Sequence, residues 1–412
     1  MTATVWFHAF IVNIDWTINI KRPKAAWLNA AEVTQLLGVN RATLYAYVSR
    51  GRIRSEAGTG KTRHRRYSRD DVERLRARTA ERRNPQKAAE QALQWGLPVL
   101  ESAITLIAEG RIYYRGHDAT GLARSCQIAE VAALLWTGTA DATRLDQPRP
   151  AAARRGNEDV PFVSRAQAAL AFAASKDPLA YDLRPRAVMQ TGWRILRLLT
   201  SVVAGTPEPT IDVALARGWG VPAAAPLLRA ALILSADHEL NVSAFTARCV
   251  ASAGATPYGV VIAGLAALEG VKHGGTTGRV EALWHSLSLA RDLSSAVTER
   301  LRRGERIDGF GHPLYPTGDP RAAVLLAMLP KTRQAALAHR FANAIRQVLG
   351  EAPTIDFALV SVAKALGLPD GSALTLFALG RTMGWIAHSL EQYEQDSIIR
   401  PRAKYVGNRP LA

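Results

Sequence analysis

The sequence is poor in cysteine and in aromatic residues. Only two cysteines, Cys126 and Cys249, occur in 412 residues, and neither belongs to a CxxC pair, so no disulfide framework is available. Aromatic residues make up 7% of the chain and hydrophobic residues 48%, many of them alanine. This composition favours helices packed on helices over sheets. We therefore expect an all-α protein of a reducing compartment, the cytoplasm.

The chain also lacks a long apolar run. No uninterrupted stretch of about 18 apolar residues occurs, so we expect no membrane-spanning helix. The apolar run at 5–14 is short, is followed by Asp15, and has neither a basic leader nor a small-residue cleavage signature. It is therefore a poor signal peptide. We assign no structure to residues 1–26, which form an N-terminal extension.

Acidic residues are too few to balance the basic ones. The chain has 52 Lys and Arg against 35 Asp and Glu, a net charge of +17. Between Lys21 and Lys87 there are 18 basic and 6 acidic residues, so about two thirds of the excess lies in one sixth of the chain. A solubilising surface mixes both signs, so this segment is expected to meet an anionic partner.

Capping signals in the basic segment predict a helix-turn-helix. Asn29 and Glu32 form a capping box for a first helix. Gly38 then turns the chain, and Asn40 caps a second helix. Residues 53–67 carry two glycines and six basic or imidazole side chains, a pattern typical of a hairpin wing. Residues 27–83 are therefore predicted to be a winged helix-turn-helix domain, whose second helix fits the major groove of DNA.

This basic segment resembles the MerR or excisionase type of winged helix-turn-helix. The runs at 37–39, 43–45, 50–51 and 65–67 carry the resemblance. By position, the side chains predicted to contact DNA are Arg41, Thr43 and Tyr45 in the groove and Arg63, Arg65 and Arg66 on phosphate or the minor groove. The alternative interpretation is a solvated basic face, or a module that merely holds a protein or another polyanion.

A second, larger helical unit is predicted at 88–412. Its charge is lower, and alanine- and leucine-rich helical periods alternate with Gly or Pro stops. Three of its histidines lie in unusual settings. His238 follows an apolar helix, His273 precedes two glycines, and His312 has glycines close before it. A lone histidine is usually structural, but three in breaks between helices indicate a functional site.

Charged residues complete this set. Asp356 lies near the start of an apolar helix, where burial would raise its pKa and make it a usable base. Arg381, in an otherwise apolar helix, and Arg400 mark candidate anion sites. The chain has neither the Cys and His spacings nor the carboxylate clusters that are typical of metal sites, so no metal is expected.

These residues belong to segments that resemble the citrate synthase family. The resemblance covers, in the family's order, 105–138, 235–248, 270–275, 309–322 and 355–407. It implies two helical domains, the smaller at roughly 276–375, so the fold is expected to be all-α and citrate synthase-like, preceded by the small winged domain. It also implies a homodimer that condenses acetyl-CoA with oxaloacetate, with the CoA thioester as substrate and no cofactor.

The resemblance also implies a role for each candidate residue. Asp356 corresponds to the base that removes a proton from the thioester methyl group. His273 corresponds to the group that hydrogen-bonds the thioester oxygen, and His312 to the group that polarises the oxaloacetate carbonyl. The positions that bind oxaloacetate correspond to His238, Arg321, Arg381 and, from the partner subunit, Arg400. Arginine suits a dicarboxylate because its charge is permanent and its donors are bidentate.

One part of the sequence departs from the family's pattern. Many members have basic residues on either side of the tyrosine that follows the third histidine, whereas here Tyr315 is flanked by Leu314 and Pro316. Contacts to the phosphates of CoA are therefore weaker or are supplied elsewhere. The candidates for the second case are Arg302, Arg303 and Arg306.

Three hypotheses about function remain open at this point. The first is an active enzyme that makes citrate or the closely related 2-methylcitrate and also binds DNA. The second is a DNA-binding transcription regulator whose synthase domain senses a metabolite. The third is an interaction module without catalysis. The presence of every reacting group favours the first, because a sensor has no need of the base.

Overall fold

The computed structural model of the protein describes residues 27–49, 51–57, 65–73, 75, 100–145, 159–205, 208–403 and 405–408. The chain divides into two compact units, 1–101 and 102–412, which are treated separately below. The N-terminal extension at 1–26 and the predicted boundary near residues 83–88 lie outside the described residues.

The first unit is a small helix-turn-helix packed on a three-stranded sheet. Its elements are β1 (Trp27–Leu28), α1 (Ala30–Leu37), α2 (Arg41–Ser49), β2 (Ser55–Ala57) and β3 (Arg65–Ser68). The sheet is antiparallel in the order β1-β3-β2, with Ser55 opposite Tyr67. The predicted wing is thus a hairpin of β2 and β3.

The predicted caps of the first unit are confirmed. The Asn29 side chain accepts the Glu32 N–H at 3.0 Å, and the Glu32 carboxylate accepts the Asn29 N–H at 2.7 Å. Gly38 ends α1 with a φ of 64°, a left-handed conformation that favours glycine. Val33 and Leu44, both buried, join the two helices in one small core.

The second unit is built mainly from helices. They are α3 (Ala119–Ser125), α4 (Ile128–Thr137), α5 (Phe162–Ala174), α6 (Pro185–Ala204), α7 (Ile211–Gly218), α8 (Ala225–Leu234), α9 (Val242–Ser252), α10 (Pro257–Leu268), α11 (Thr276–Ser288), α12 (Leu293–Arg302), α13 (Pro320–Ala327), α14 (Arg333–Leu349), α15 (Ile355–Leu366) and α16 (Ser372–Gln395). Short 3-10 helices lie at Ala142–Arg144, Pro178–Tyr181 and Pro222–Ala224. None of the helices in the described ranges is long and apolar enough to cross a membrane.

A small sheet opens the second unit, although its composition alone indicated only helices. Its strands are β4 (Thr105–Ala108), β5 (Arg111–Tyr114) and β6 (His117–Asp118), all antiparallel. Glu109 and Gly110 join β4 to β5 with positive φ values of 52° and 73°. Two such residues form the tight turn that suits a twisted hairpin. The β-branched and aromatic residues concentrated at 105–114 explain why this stretch departs from the helical pattern.

Helix α16 runs through the core of the second unit. It is 24 residues long, is buried over most of its length, and packs against α8, α9, α10 and α15. Glycines on it allow backbones to touch: a Cβ at Gly380 would lie 2.5 Å from the Leu232 carbonyl oxygen, and one at Gly384 would lie 2.4 Å from that of Ala236. The Gly384 N–H also donates to the Ala236 carbonyl at 3.1 Å. The position of α16 is thus fixed by backbone contact.

We predict that Gly264→Ala destabilises the second unit. Gly264 on α10 faces Trp385 on α16, and an added methyl would lie 2.5 Å from the fully buried indole ring. Overpacking of this kind costs about 1–3 kcal/mol, which calorimetry should detect as a lower melting temperature. Gly278→Ala is the matched control, because Gly278 is exposed on α11 and its Cβ would meet nothing within 4 Å. Equal melting temperatures for the two variants would contradict this account of the α10–α16 contact.

Candidate active site and nucleic-acid interface

Three loops between helices carry the three predicted histidines. His238 lies between α8 and α9, His273 between α10 and α11, and His312 between α12 and α13. Glycine is required directly after His273, because a Cβ at Gly274 would lie 2.7 Å from the Leu268 carbonyl oxygen. The glycines that marked the His273 loop in the sequence therefore let the chain fold back tightly beside this imidazole.

Two of the imidazoles and a tyrosine form one aromatic cluster. His238 Nε2 lies 3.0 Å from the Tyr315 hydroxyl oxygen. The ring centroids of His238 and His312 are 5.3 Å apart, and those of His312 and Tyr315 are 5.0 Å apart. The Leu314 N–H donates to His312 Nδ1 at 3.2 Å. In a neutral His312 the proton must then lie on Nε2, which makes that nitrogen a hydrogen-bond donor.

A buried ion pair connects this cluster to the predicted base. Arg321, the second residue of α13, donates to both carboxylate oxygens of Asp319, at 3.0 and 2.8 Å. Asp319 also accepts the backbone N–H of Ile355 at 3.0 Å, one residue before Asp356. The Thr354 hydroxyl donates to Asp356 Oδ2 at 3.3 Å. One carboxylate therefore fixes both a guanidinium group and the start of the helix that carries Asp356.

His273 and Arg381 both pack against one phenyl ring, that of Phe377. The His273 ring packs edge-on against Phe377, with centroids 5.9 Å apart, and His273 Nε2 lies 2.9 Å from Ser243 Oγ. The Arg381 guanidinium carbon lies 4.9 Å from the centre of the same phenyl ring. Phe377 and Arg381 are four residues apart on α16, so both face the same side of the helix.

Arg381 is buried and only partly paired. Its Nε donates to the Ser235 carbonyl at 2.9 Å, and 1% of the residue is exposed. Within the described part of the chain, Arg381 Nη1 and Ser235 Oγ are both buried without a hydrogen-bond partner. A buried charged donor left unsatisfied is costly, so this pair of atoms is suited to receive an anionic ligand.

Burial and neighbouring positive charge keep the imidazoles neutral. Burial, followed by the charges of Arg321 and Arg381, holds the pKa of His238 well below its usual value. Burial and Arg381 lower the pKa of His273 to about 4. Burial and Arg321 also lower the pKa of His312. At neutral pH these side chains can therefore donate a hydrogen bond without carrying charge.

The pKa of Asp356 is raised, in contrast to the lowered pKa values of the three imidazoles. It retains some exposed surface, but the protein surrounds it closely, and this burial raises its pKa to about 6. The charge of Arg321 opposes the rise, and that of Asp319 adds to it. A carboxyl group with a pKa near the operating pH is suited to general base catalysis.

The structure brings together six of the seven side chains predicted for this site. They are His238, His273, His312, Arg321, Asp356 and Arg381, which share the contacts and charges described above. Arg400 is not among them, because it is exposed in the segment after α16. No three His, Cys, Asp or Glu side chains of the described ranges are grouped so as to hold a metal ion.

Sequence reasoning missed several members of the site. Tyr315 was considered only for its neighbours, although it contacts two histidines. Asp319 had a usable signal, since Asp-Pro-Arg is typical of a helix start with a capping Asp, but the bond from Ile355 to Asp319 spans 36 residues and leaves no local trace. Ser243 likewise lies 30 residues from the histidine it contacts.

The first unit presents part of the predicted nucleic-acid interface. Arg41 and Tyr45 on α2 are exposed, whereas Leu44 between them is buried in the core. Burial and Tyr45 raise the pKa of Tyr67, and the charges of Arg65 and Arg41 oppose that rise. Tyr67 on β3 packs in the same small core as Leu44 on α2, so α2 and β3 belong to one compact unit.

The other predicted DNA contacts have local partners or are not described. The Thr43 hydroxyl donates to the Asn40 side chain at 3.0 Å, so it takes part in capping α2. Arg66 Nη2 lies 3.3 Å from the Glu56 carboxylate across the wing hairpin. Arg63 lies outside the described residues. These six assignments stay predictions.

Comparison with known protein families gives two matches. The family described as citrate synthase, C-terminal domain, matches residues 92–155 and 214–402, which together make up more than half of the chain. A family described as a helix-turn-helix domain matches residues 27–80. The two matches do not overlap, so they describe different parts of the chain.

Individual relatives and a solved structure agree with the first match. A citrate synthase of Haloferax volcanii is 31% identical over 77% of this chain and 95% of its own length. A 2-methylcitrate synthase of Corynebacterium glutamicum is 26% identical over 71% of this chain and 88% of its own length. The fold is similar to a ternary complex of Thermoplasma acidophilum citrate synthase with carboxymethyl coenzyme A and oxaloacetate. That comparison gives a TM-score of 0.66 at 23% identity and covers 78% of this chain and 97% of that one.

We predict that Asp356→Asn stabilises the folded protein at pH 8 and not at pH 4. The folded pKa of about 6 exceeds the ordinary value of 3.8, so the ionised carboxylate opposes folding and stability falls as pH rises between these values. At a pH above that range, removing the charge should raise the free energy of unfolding by on the order of 1–3 kcal/mol. Denaturant unfolding at the two pH values measures the difference.

The control for this prediction is Asp292→Asn. Asp292 is exposed and caps α12, a position that asparagine also caps well, so this variant should show no gain at pH 8. If Asp356→Asn is no more stable than the unmodified protein at pH 8, burial does not raise the pKa of Asp356.

Proposed function

The chain belongs to the citrate synthase family, and we propose that it condenses acetyl-CoA with oxaloacetate to give citrate and CoA. The family consists of acyltransferases that act on CoA thioesters without a cofactor, so the chain is an acyltransferase. The observation that carries the choice of reaction is the convergence of three neutral imidazoles and one carboxyl group of raised pKa around two buried guanidinium groups.

The first step uses Asp356 and His273. Asp356 removes a proton from the methyl group of acetyl-CoA, the electron pair of the broken C–H bond forms a C=C bond, and the C=O π pair moves to the thioester oxygen, which gives the enol in its enolate form. The thioester oxygen gains negative charge in this step. His273, whose pKa of about 4 keeps it neutral, stabilises that oxygen by donating a hydrogen bond.

The second step uses the groups around oxaloacetate. Arg321 and Arg381 hold its carboxylates with permanent positive charge, and Arg381 Nη1 supplies an unsatisfied donor for this purpose. His312 donates a hydrogen bond from Nε2 to the ketone oxygen, which makes the carbonyl carbon more electrophilic. As the enol carbon bonds to that carbon, the C=O π pair moves to the ketone oxygen, which takes the proton from His312 and becomes the hydroxyl group of the citryl thioester. Water then cleaves the citryl thioester and releases the CoA thiol.

Two further features of the proposal concern assembly and motion. The exposed position of Arg400 in one chain fits the proposal that this residue completes the oxaloacetate site of a partner subunit in a homodimer. We also propose that residues 276–375 form the smaller domain and close over the substrates. Closure would exclude water while the enol exists.

Two other functions remain candidates. Similarity to the Corynebacterium glutamicum 2-methylcitrate synthase favours propionyl-CoA as an alternative substrate. One methylene in an apolar pocket changes the free energy by only about 1–3 kcal/mol, so small differences in the pocket decide between the two substrates. The helix-turn-helix unit favours DNA binding, either beside catalysis or in a regulator that senses a metabolite. Access to DNA is also the reason to propose a cytoplasmic location.

We predict that the protein releases thiol from acetyl-CoA only when oxaloacetate is present. Asp356→Asn should lower kcat at least 100-fold, because general base catalysis contributes about 100- to 10,000-fold to the rate. In the unmodified protein kcat should fall as pH drops below about 6, where Asp356 becomes protonated. Asp292→Asn is the control and should keep full activity. No thiol release from acetyl-CoA or propionyl-CoA would eliminate the enzyme and leave the regulator.

We predict DNA binding with a steep salt dependence. Each lost phosphate contact should reduce the slope of log K against log salt by about 0.9, so Arg65→Ala should flatten the slope by that amount when measured on duplex DNA. Arg186→Ala removes an exposed arginine from the second unit and should leave the slope unchanged. Arg41→Ala should in addition reduce the preference for a duplex selected from a random library. Equal binding of selected and random duplexes would mean that the unit only holds polyanions.

A further inference from the structure

An arginine on α11 contacts two of the loops that carry the candidate catalytic histidines. Arg279 is the fourth residue of α11, and its guanidinium Nη1 donates to the carbonyl oxygen of Val271, two residues before His273. The same guanidinium group donates to the carboxylate of Asp308, from Nε at 2.8 Å and from Nη2 at 3.0 Å. Asp308 lies four residues before His312. One side chain thus connects two loops that are 37 residues apart in sequence.

The loop that contains Asp308 has little freedom to move elsewhere. A Cβ at Gly309 would lie 2.9 Å from Val280 Cγ2 on α11 and 3.1 Å from Phe357 Cβ on α15. The Gly309 carbonyl accepts the Thr354 N–H at 2.8 Å, just before the helix that carries Asp356. The loop is therefore held between α11 and α15, and the arginine fixes its α11 side.

The loop that contains Val271 is less firmly held on its outer side. The Val271 side chain is 69% exposed, and Lys272 is exposed beside it. The inner side is fixed by the His273 N–H, which donates to the Gly270 carbonyl at 2.8 Å, and by the contact of the His273 ring with Ser243. The bond from Arg279 to the Val271 carbonyl attaches the outer side of this loop to α11.

We propose that Arg279 is a positioning residue that joins the His273 loop to the His312 loop through Val271 and Asp308, and so sets the spacing of the two imidazoles. The effect on catalysis rests on the proposed citrate synthase reaction, in which one imidazole binds the enol oxygen and the other the ketone oxygen. The enol carbon must meet the ketone carbon along one path, and a displacement of about 1 Å can lower the rate about 100-fold.

A simpler explanation is an ordinary surface ion pair. The side chains of Arg279 and Asp308 are 42% and 16% exposed, and exposed pairs contribute little to stability. The two explanations differ in the effect expected in the loop that is not mutated. A surface pair affects only its own surroundings, whereas a residue that joins two loops transmits a change in the His312 loop to the His273 loop.

The experiment compares Asp308→Asn and Arg279→Met with the control Glu305→Gln, all in the full chain. Glu305 lies three residues from Asp308 and pairs with Arg300 and Arg303, so the control also removes a carboxylate that binds arginine, but within one segment. Hydrogen exchange measured by mass spectrometry reports on the peptide covering 268–275. Thiol release reports kcat and the KM for oxaloacetate.

The expected result is a change in the loop that was not mutated. In Asp308→Asn, amides of 268–275 should exchange about 10-fold faster, while Glu305→Gln leaves them unchanged. In the same variant kcat should fall about 10- to 100-fold, with KM for oxaloacetate within about twofold. Arg279→Lys keeps a donor for Val271 but loses the bidentate pair, so its kcat should lie between that of Arg279→Met and that of the unmodified protein. Melting temperatures should stay within about 3 °C of one another.

Other outcomes would overturn the proposal or its premise. Unchanged exchange at 268–275 in Asp308→Asn means that the loops are not joined, whatever the activity. Faster exchange with unchanged kcat means that Arg279 joins the loops without positioning the reacting groups, which also overturns the proposal. If the unmodified protein shows no turnover, the proposed function fails, and the exchange measurement alone then decides whether the loops are joined.

Discussion

Two guanidinium groups buried in a helical interior determine the electrostatics of the candidate active site. Buried charge is costly unless it is paired. Arg321 is paired by Asp319, whereas Arg381 has a backbone carbonyl, an aromatic face and one unsatisfied nitrogen. Burial is the main cause of the lowered pKa of all three imidazoles and of the raised pKa of Asp356; the positive charge that remains adds to the first effect and opposes the second. A doubly negative substrate would complete this balance of charge.

Local signals in the sequence predicted much of the fold. The capping box at Asn29 and Glu32, the turn at Gly38 and the buried Leu44 depend on neighbours three to five residues away, so spacing alone reveals them. The hairpin at 105–114 was missed because a composition averaged over 412 residues hides the eight residues of its two strands. The spacing of neighbouring residues therefore predicted local structure, whereas the composition of the whole chain did not.

The site was predictable in part, because family motifs mark reacting groups but not the residues that hold them. Six motif residues meet in the structure, but Asp319, Tyr315 and Ser243 act through contacts that span tens of residues or depend on tertiary packing. Spacing along the chain carries no information on such contacts. Arg400 illustrates a different limit, since a residue proposed to act in a partner subunit cannot be placed from one chain.

The glycines of α16 also limit how this site can be changed. Backbone contact at Gly380 and Gly384 leaves no room for α16 to slide or rotate, and Phe377 and Arg381 are carried on that same helix. Variants that accept bulkier thioesters should therefore come from side-chain substitutions around the pocket, and not from a shift of α16 or of the His273 and His312 loops, which close contacts at Gly274 and Gly309 also hold in place. Arg381 would then stay in place on α16, so in the proposed reaction new substrate pairs should vary in the acyl donor and keep the same keto-acid acceptor.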